Sequence, residues 1–273
     1  MCGISGVAGY EDISATLVES IKQLEYRGYD SCGVAILNGG GDVCIKKNIG
    51  GVEEVAAKEQ FLALSGNTGI AHTRWATHGK VTVENTHPHA SCDSDFVLVH
   101  NGIISNYIEL KEELIKKGHR FVSKTDTEVI VHLVEQEYKT IRDTEKALIS
   151  ALKKLTGTYA VVIVSVYEPG KIFCAKHESP LVIGIGDEEN YVGSDVTAFI
   201  NYTKNTIILD DRELAIVTRD SYFVRNFLTG DEVDKDIVKL TWDTEMTKKG
   251  GYPHFMLKEI YEQPQTIKNV LKI

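Results

Sequence analysis

The stretch from Phe96 to Tyr167, FVLVHNGIISNYIELKEELIKKGHRFVSKTDTEVIVHLVEQEYKTIRDTEKALISALKKLTGTYAVVIVSVY, decides the fold class. It opens on an apolar, β-branched run, Phe96 to His100, and closes on another, Thr158 to Tyr167; both read as buried or half-buried strands. Between them lie three segments with helical spacing. Asn106 precedes Glu109 by three residues, a start like a capping box, and Gly118 ends that segment. Thr125-Asp126-Thr127-Glu128 is a second such box and predicts a helix through about Lys139. Asp143 is placed to cap a third helix carrying Ala147, Leu148, Ala151, Leu152 and Leu155, with Gly157 as its stop. Outward from this block, Gly33 to Leu37, Leu181 to Ile185 and Leu214 to Thr218 repeat the strand pattern. Ser14 to Tyr26 puts Leu17, Ile21 and Leu24 on one helical face and stops at Gly28. Helices clustered between runs of strands predict α+β layers rather than strict β-α-β winding.

The chain has 273 residues, 42% hydrophobic and 25% charged, which is ordinary for a globular protein and excludes a disordered or collagen-like one. The polar, glycine-paired stretch from Asp243 to Tyr252 reads as a linker, and Phe255 to Val270 as one more helix with little to pack on. The expected division is therefore a main domain over 1–240 and the start of a second over 241–273. A formal net charge of −9 argues against nucleic acid as the main partner, because phosphate binding needs a basic surface. The longest largely apolar run, Tyr159 to Tyr167, is about half of what a spanning helix needs, so no membrane partner is expected. The N-terminus lacks a basic stretch, and the five cysteines are odd in number with no C-x-x-C pair. A reducing, cytoplasmic setting follows.

Several short motifs carry chemistry. Removal of Met1 would leave Cys2 with a thiol and a free α-amine on one residue; an amine titrating at about 7.7–8.0 can take the thiol proton. Taken alone, Cys2 reads more readily as a small buried residue of a first strand. His72-Thr73-Arg74-Trp75-Ala76-Thr77-His78-Gly79 follows an apolar strand, Thr68 to Ala71, and ends in glycine. Arg74 can hold a carboxylate bidentately, or simply serve a structural partner. His100-Asn101-Gly102 offers an amide and a backbone N–H as two oxyanion donors, or a tight hairpin turn. Asp126 can bind an ammonium group, or cap its helix. Arg27, beside Gly28, can line a site or end a turn. His87, His89 and Cys92, with His72, His78 and His100 elsewhere, raise a metal reading. The spacing of His87-Pro88-His89 and the lack of a cysteine pair weigh against it, and no metal or cofactor is expected. An anion holder, a cation holder, an oxyanion pair and an N-terminal thiol together suit a zwitterionic amino acid with an amide to cleave, and L-glutamine has that shape.

Cys2-Gly3-Ile4, Arg27-Gly28-Tyr29-Asp30-Ser31, His72 to Gly79, His100-Asn101-Gly102 and Thr125 to Glu128 strongly resemble the class II glutamine amidotransferase domain of the glucosamine-6-phosphate synthase family. So do Ser179 to Gly184, Ser194-Asp195 and His254 to Pro264, the last resembling the opening of that family's sugar-isomerase half. The resemblance implies an N-terminal-nucleophile hydrolase fold, a four-layer α/β/β/α sandwich with two antiparallel sheets. It implies Cys2 as nucleophile, its α-amine as base, and Asn101 and Gly102 as oxyanion hole. Arg74, Thr77, His78 and Asp126 would bind glutamine, Trp75 would gate ammonia, and Arg27 would support the nucleophile. It further implies a homodimer in the full-length protein and fructose 6-phosphate as a partner only through the isomerase half. Asp211-Arg212-Glu213 has arginine where that family usually has glycine, which predicts a different turn.

Overall fold

Period-two apolar runs build strands that are covered on both faces, and three separate buried clusters show where the layers meet. The computed structural model describes residues 2–76, 80–241, 252 and 255–271. In chain order its strands are β1 (Gly3–Gly9), β2 (Ser31–Leu37), β3 (Val43–Ile49), β4 (Thr68–Arg74), β5 (His89–Ala90), β6 (Phe96–Ile104) and β7 (Gly157–Ser165). They continue as β8 (Ile172–His177), β9 (Val182–Ile185), β10 (Glu189–Gly193), β11 (Asn205–Ile208), β12 (Glu213–Val217), β13 (Tyr222–Asn226) and β14 (Val238–Lys239). The α-helices are α1 (Ser14–Lys22), α2 (Val52–Lys58), α3 (Tyr107–Lys116), α4 (Glu128–Ile141), α5 (Thr144–Leu152) and α6 (Phe255–Leu271). None of these helices is long and apolar enough to cross a membrane.

Among the described residues the strands form an eight-stranded sheet, β14-β11-β9-β10-β1-β4-β2-β3, and a six-stranded one, β13-β12-β8-β7-β6-β5. Every strand pairing is antiparallel. Ile4, Ala35 and Ile70 of the first sheet meet Val99, Val162 and Cys174 of the second in one apolar cluster. On the far face of the first sheet, Val7, Val34 and Ala71 pack with Leu17 and Ile21 of α1 and Val52 and Val55 of α2. On the far face of the second, Leu98, Val161 and Phe173 pack with Leu110 of α3, Val131 of α4 and Leu148 of α5. Alternating side chains on each strand thus serve two cores. The result is the expected α/β/β/α sandwich.

Contacts divide the chain into Met1–Lys239 and Leu240–Ile273. The sandwich lies in the first unit. Of the second, α6 carries Pro264 inside it, and its Lys258 pairs with Glu262 one turn on.

Local expectations fared unevenly. Asp143 caps α5 as read, its Oδ1 accepting the Lys146 N–H at 2.9 Å. Asn106 does not cap α3, because its side chain is engaged elsewhere: Oδ1 accepts the Thr156 N–H and Nδ2 donates to the Lys154 carbonyl. The box at Thr125 does not form either, and α4 begins only at Glu128. There Glu128 reaches back instead, accepting the Val122 and Ser123 N–H groups at 2.7 and 2.6 Å. Gly157 does not stop α5, which ends at Leu152; it opens β7 with φ 120°. Asn101-Gly102 is no hairpin turn but lies within β6. Arg212 stands at φ 70°, in the left-handed region that glycine favours. Its Nη2 lies 2.9 Å from His177 Nε2.

Candidate active site

The site lies where the two sheets meet, at the start of β1, the end of β4 and the Asn101-Gly102 positions of β6. β1 runs between β10 and β4, pairing Ser5 with Gly193 and Gly3 with Thr73, so Cys2 is delivered to the middle of the larger sheet. Half-buried, its Sγ accepts the Trp75 N–H at 3.2 Å. Burial pushes the Cys2 thiol above its ordinary value, while the Trp75 N–H and the Arg74 guanidinium pull the other way. At neutral pH the thiol is therefore protonated, and a nucleophilic role needs a base.

Asn101 ties the sheets together. Its Nδ2 donates to the Cys2 carbonyl at 3.0 Å, and its Oδ1 lies 3.0 Å from His72 Nε2. Burial drives the His72 pKa down to about 3, so the ring is neutral. A neutral ring facing an amide oxygen donates from Nε2, which orients the Asn101 amide with its N–H groups toward Cys2. Gly102 follows at φ 131°, and a Cβ there would come 2.0 Å from the Thr158 carbonyl oxygen. That backbone conformation and that clash require glycine at this position of β6.

A cavity of about 510 Å³ opens here, lined by Cys2, Arg27, Arg74, Trp75, Asn101, Gly102 and Asp126 among others. Arg74, at the end of β4, is buried. Asp126 sits just before α4, its Oδ2 accepting the Ile104 N–H at 2.7 Å. One buried cation and one carboxylate thus border the same space as the thiol. Trp75 is exposed and meets the Tyr29 ring edge-on at 5.6 Å. Arg27 Nη1 pairs with Asp195 Oδ2 at 3.0 Å and donates to the Ser194 carbonyl at 3.4 Å. The Ser194 hydroxyl in turn accepts the Ile4 N–H at 3.0 Å, so Arg27 braces the strand that carries Cys2. Gly28 permits this crossing: a Cβ there would come 2.6 Å from the backbone between Arg74 and Trp75.

Cys2, Arg27, Arg74, Trp75, Asn101, Gly102 and Asp126 are all brought to one cavity. Met1, Thr77 and His78 lie outside the described residues. Three contributors carried no assigned role in the sequence reading. His72 orients Asn101, Ser194 links Arg27 to Ile4, and Ser179 lines the cavity. Each lies inside a motif singled out above, but only a contact far along the chain reveals what it does.

A glutamine amidotransferase domain family matches residues 72–201. The curated isomerizing glutamine–fructose-6-phosphate aminotransferases of Thermococcus kodakarensis and Pyrococcus horikoshii are 51% and 47% identical to this chain over 271 residues. Each alignment takes in 99% of this chain and 45% of the relative, so the chain spans about half the length of these relatives. Among solved structures, the glutamine phosphoribosylpyrophosphate amidotransferase of B. subtilis superposes with a TM-score of 0.72 at 25% identity, over 83% of this chain and 49% of that one. A glutamine aminotransferase class-II domain protein from Silicibacter pomeroyi matches with a TM-score of 0.58 at 16% identity, over 83% of this chain and 99% of that one, which supports the fold alone.

Proposed function

This chain belongs to the glutamine amidotransferase family, and from that premise we propose that it hydrolyses the side-chain amide of L-glutamine to glutamate and ammonia. The observation that carries the reading is the convergence of Cys2, Asn101, Gly102, Arg74 and Asp126 on one cavity. Arg74 suits the α-carboxylate of glutamine and Asp126 its α-ammonium. Such a pair is wasted on an amide that is not a zwitterion. Thr77 and His78 are proposed to complete the substrate contacts.

With Met1 removed, the Cys2 α-amine takes the thiol proton as Sγ attacks the amide carbon. The developing oxyanion meets a free N–H of Asn101 and the Gly102 N–H. As the tetrahedral species collapses, the C–N bond breaks and the ammonium proton of Cys2 goes to the departing nitrogen. The thioester left on Sγ is hydrolysed by water, which gives its proton to the same amine. Trp75 is proposed to gate the ammonia.

The whole protein, by analogy with relatives about twice as long, is proposed to pass that ammonia to fructose 6-phosphate and form glucosamine 6-phosphate. The isomerase portion would supply the sugar site and a homodimer contact. The cytoplasm is the proposed compartment.

Glutamate release by the purified chain and by Cys2→Ala, with intact masses recorded, tests the reading. Turnover in a parent lacking Met1, and none in the variant, is the expected result. Turnover retained by Cys2→Ala would overturn it.

A further inference from the structure

Away from the catalytic cavity, four side chains from three segments converge on one point. Cys92 follows β5, His119 follows α3, and His132 and Glu135 share one face of α4 at i and i+3. One donor atom from each lies within 4.8 Å of the others. Cys92 Sγ is 3.8 Å from His119 Nδ1 and 3.6 Å from His132 Nδ1. Glu135 Oε2 is 2.9 Å from His119 Nδ1 and 3.9 Å from His132 Nδ1. A tetrahedral zinc with bonds of about 2.0–2.3 Å sets its ligands roughly 3.3–3.6 Å apart, in the middle of these values.

The outer contacts fit the same picture. His119 Nε2 faces Gln136 Oε1 at 3.0 Å, and His132 Nε2 faces Glu128 Oε1 at 3.4 Å. Both acceptors place the ring proton on Nε2, which leaves each Nδ1 lone pair aimed inward. The Arg120 N–H donates to Cys92 Sγ at 3.4 Å, as it would to a thiolate. Glu135 is 4% exposed, and its Oε1 accepts the Asp93 N–H at 3.3 Å, which holds Oε2 toward the two imidazoles. Two inward-facing imidazole nitrogens, a thiol sulfur and a buried carboxylate oxygen thus form one converging donor set of the kind a cation binds.

We propose that Cys92, His119, His132 and Glu135 bind one structural Zn²⁺. Four protein ligands close the shell, and the mix of thiolate, imidazole and carboxylate suits zinc better than magnesium or calcium. None of the four lines the catalytic cavity. The ion pins α4, the segment after α3 and the loop after β5 to one another. It thereby steadies Glu128 and, two residues earlier, the Asp126 that borders the active site.

The test is metal content and a cobalt spectrum of the chain under reducing conditions. After incubation with zinc and desalting, the chain retains one equivalent, and chelation lowers its Tm. Cobalt in its place gives tetrahedral d–d bands and a thiolate-to-cobalt charge-transfer band. That band persists in Cys2→Ala and disappears in Cys92→Ser. Gln136→Ala, which touches no metal, weakens zinc affinity by roughly 10- to 100-fold. Should Cys92→Ser fail to fold, protection of Cys92 from alkylation by zinc in the parent chain gives the same answer. Failure to retain an equivalent of zinc, or a charge-transfer band that survives in folded Cys92→Ser, overturns the site.

Discussion

Asn101 is the residue on which the proposed chemistry turns, since its Nδ2 donates to the Cys2 carbonyl and its Oδ1 accepts the His72 Nε2–H. Asn101→Ala should lower kcat for glutamine hydrolysis by roughly 10²–10³ while KM moves little, as measured by steady-state glutamate release. A change confined to KM would remove Asn101 from the oxyanion role. Asp126→Asn keeps an oxygen for the Ile104 N–H but loses the charge. It should raise KM for glutamine with a smaller effect on kcat; an unchanged KM would sink the ammonium contact. Cys2, Arg74 and Asp126 could be singled out in the sequence as candidates, since a thiol, a guanidinium and a carboxylate each suit a chemistry, although each alone also had a structural reading. The structure brings them to one cavity. The task of His72 was not legible in the sequence, because it depends on a partner 29 residues along the chain in the opposite sheet.

At the scale of elements, β6 shows how a strand can carry a site. Gly102→Ala would force a side chain into the left-handed region and against the Thr158 carbonyl. It should cost about 1–3 kcal/mol of stability in denaturant unfolding and abolish hydrolysis. A stable, active variant would show that glycine is not required there. Asp143→Ala should cost about 1 kcal/mol through the lost cap of α5, with activity unchanged. Strongly apolar strands such as β2, β6 and β7 were readable from their β-branched runs. Strands β3 and β13 were not, because half-buried positions mix polar and apolar side chains without clean alternation. The caps at Asn106 and Thr125 misled for a different reason. A capping side chain is free to bond any nearby backbone group, and Asn106 found Thr156 and Lys154 across the fold.

The whole molecule brings His72, His87, His89 and His100 together between its sheets, each fully or almost fully buried. His72 stacks on His87 at 4.1 Å, and His87 meets His89 at 4.7 Å. Burial first, then positive neighbours such as Arg74, holds His87 well below its ordinary value, and burial with Lys47 does the same for His89. Burial also lowers His100, against the opposing pull of Asp126. His72 falls to about 3. An unfolded histidine titrates near about 6.5, so below that pH the unfolded chain takes up protons that the folded chain refuses. Stability is then full above about 6.5 and declines as the pH falls toward about 3. Thermal unfolding followed from pH 7 to pH 4 should show a steady drop in Tm, and a flat profile would contradict it. The layered architecture was legible from the order of strand and helix patterns, but this histidine seam was not, since its members come from separate strands and a loop. The position of β1 has one more consequence, for biosynthesis. It pairs with β4 on one side and β10 on the other, and β10 ends at Gly193. A ribosome adding about 5–20 residues per second leaves one edge of β1 open for roughly ten seconds after β4 is made. The nascent chain therefore carries an open sheet edge on β1 until β10 is made.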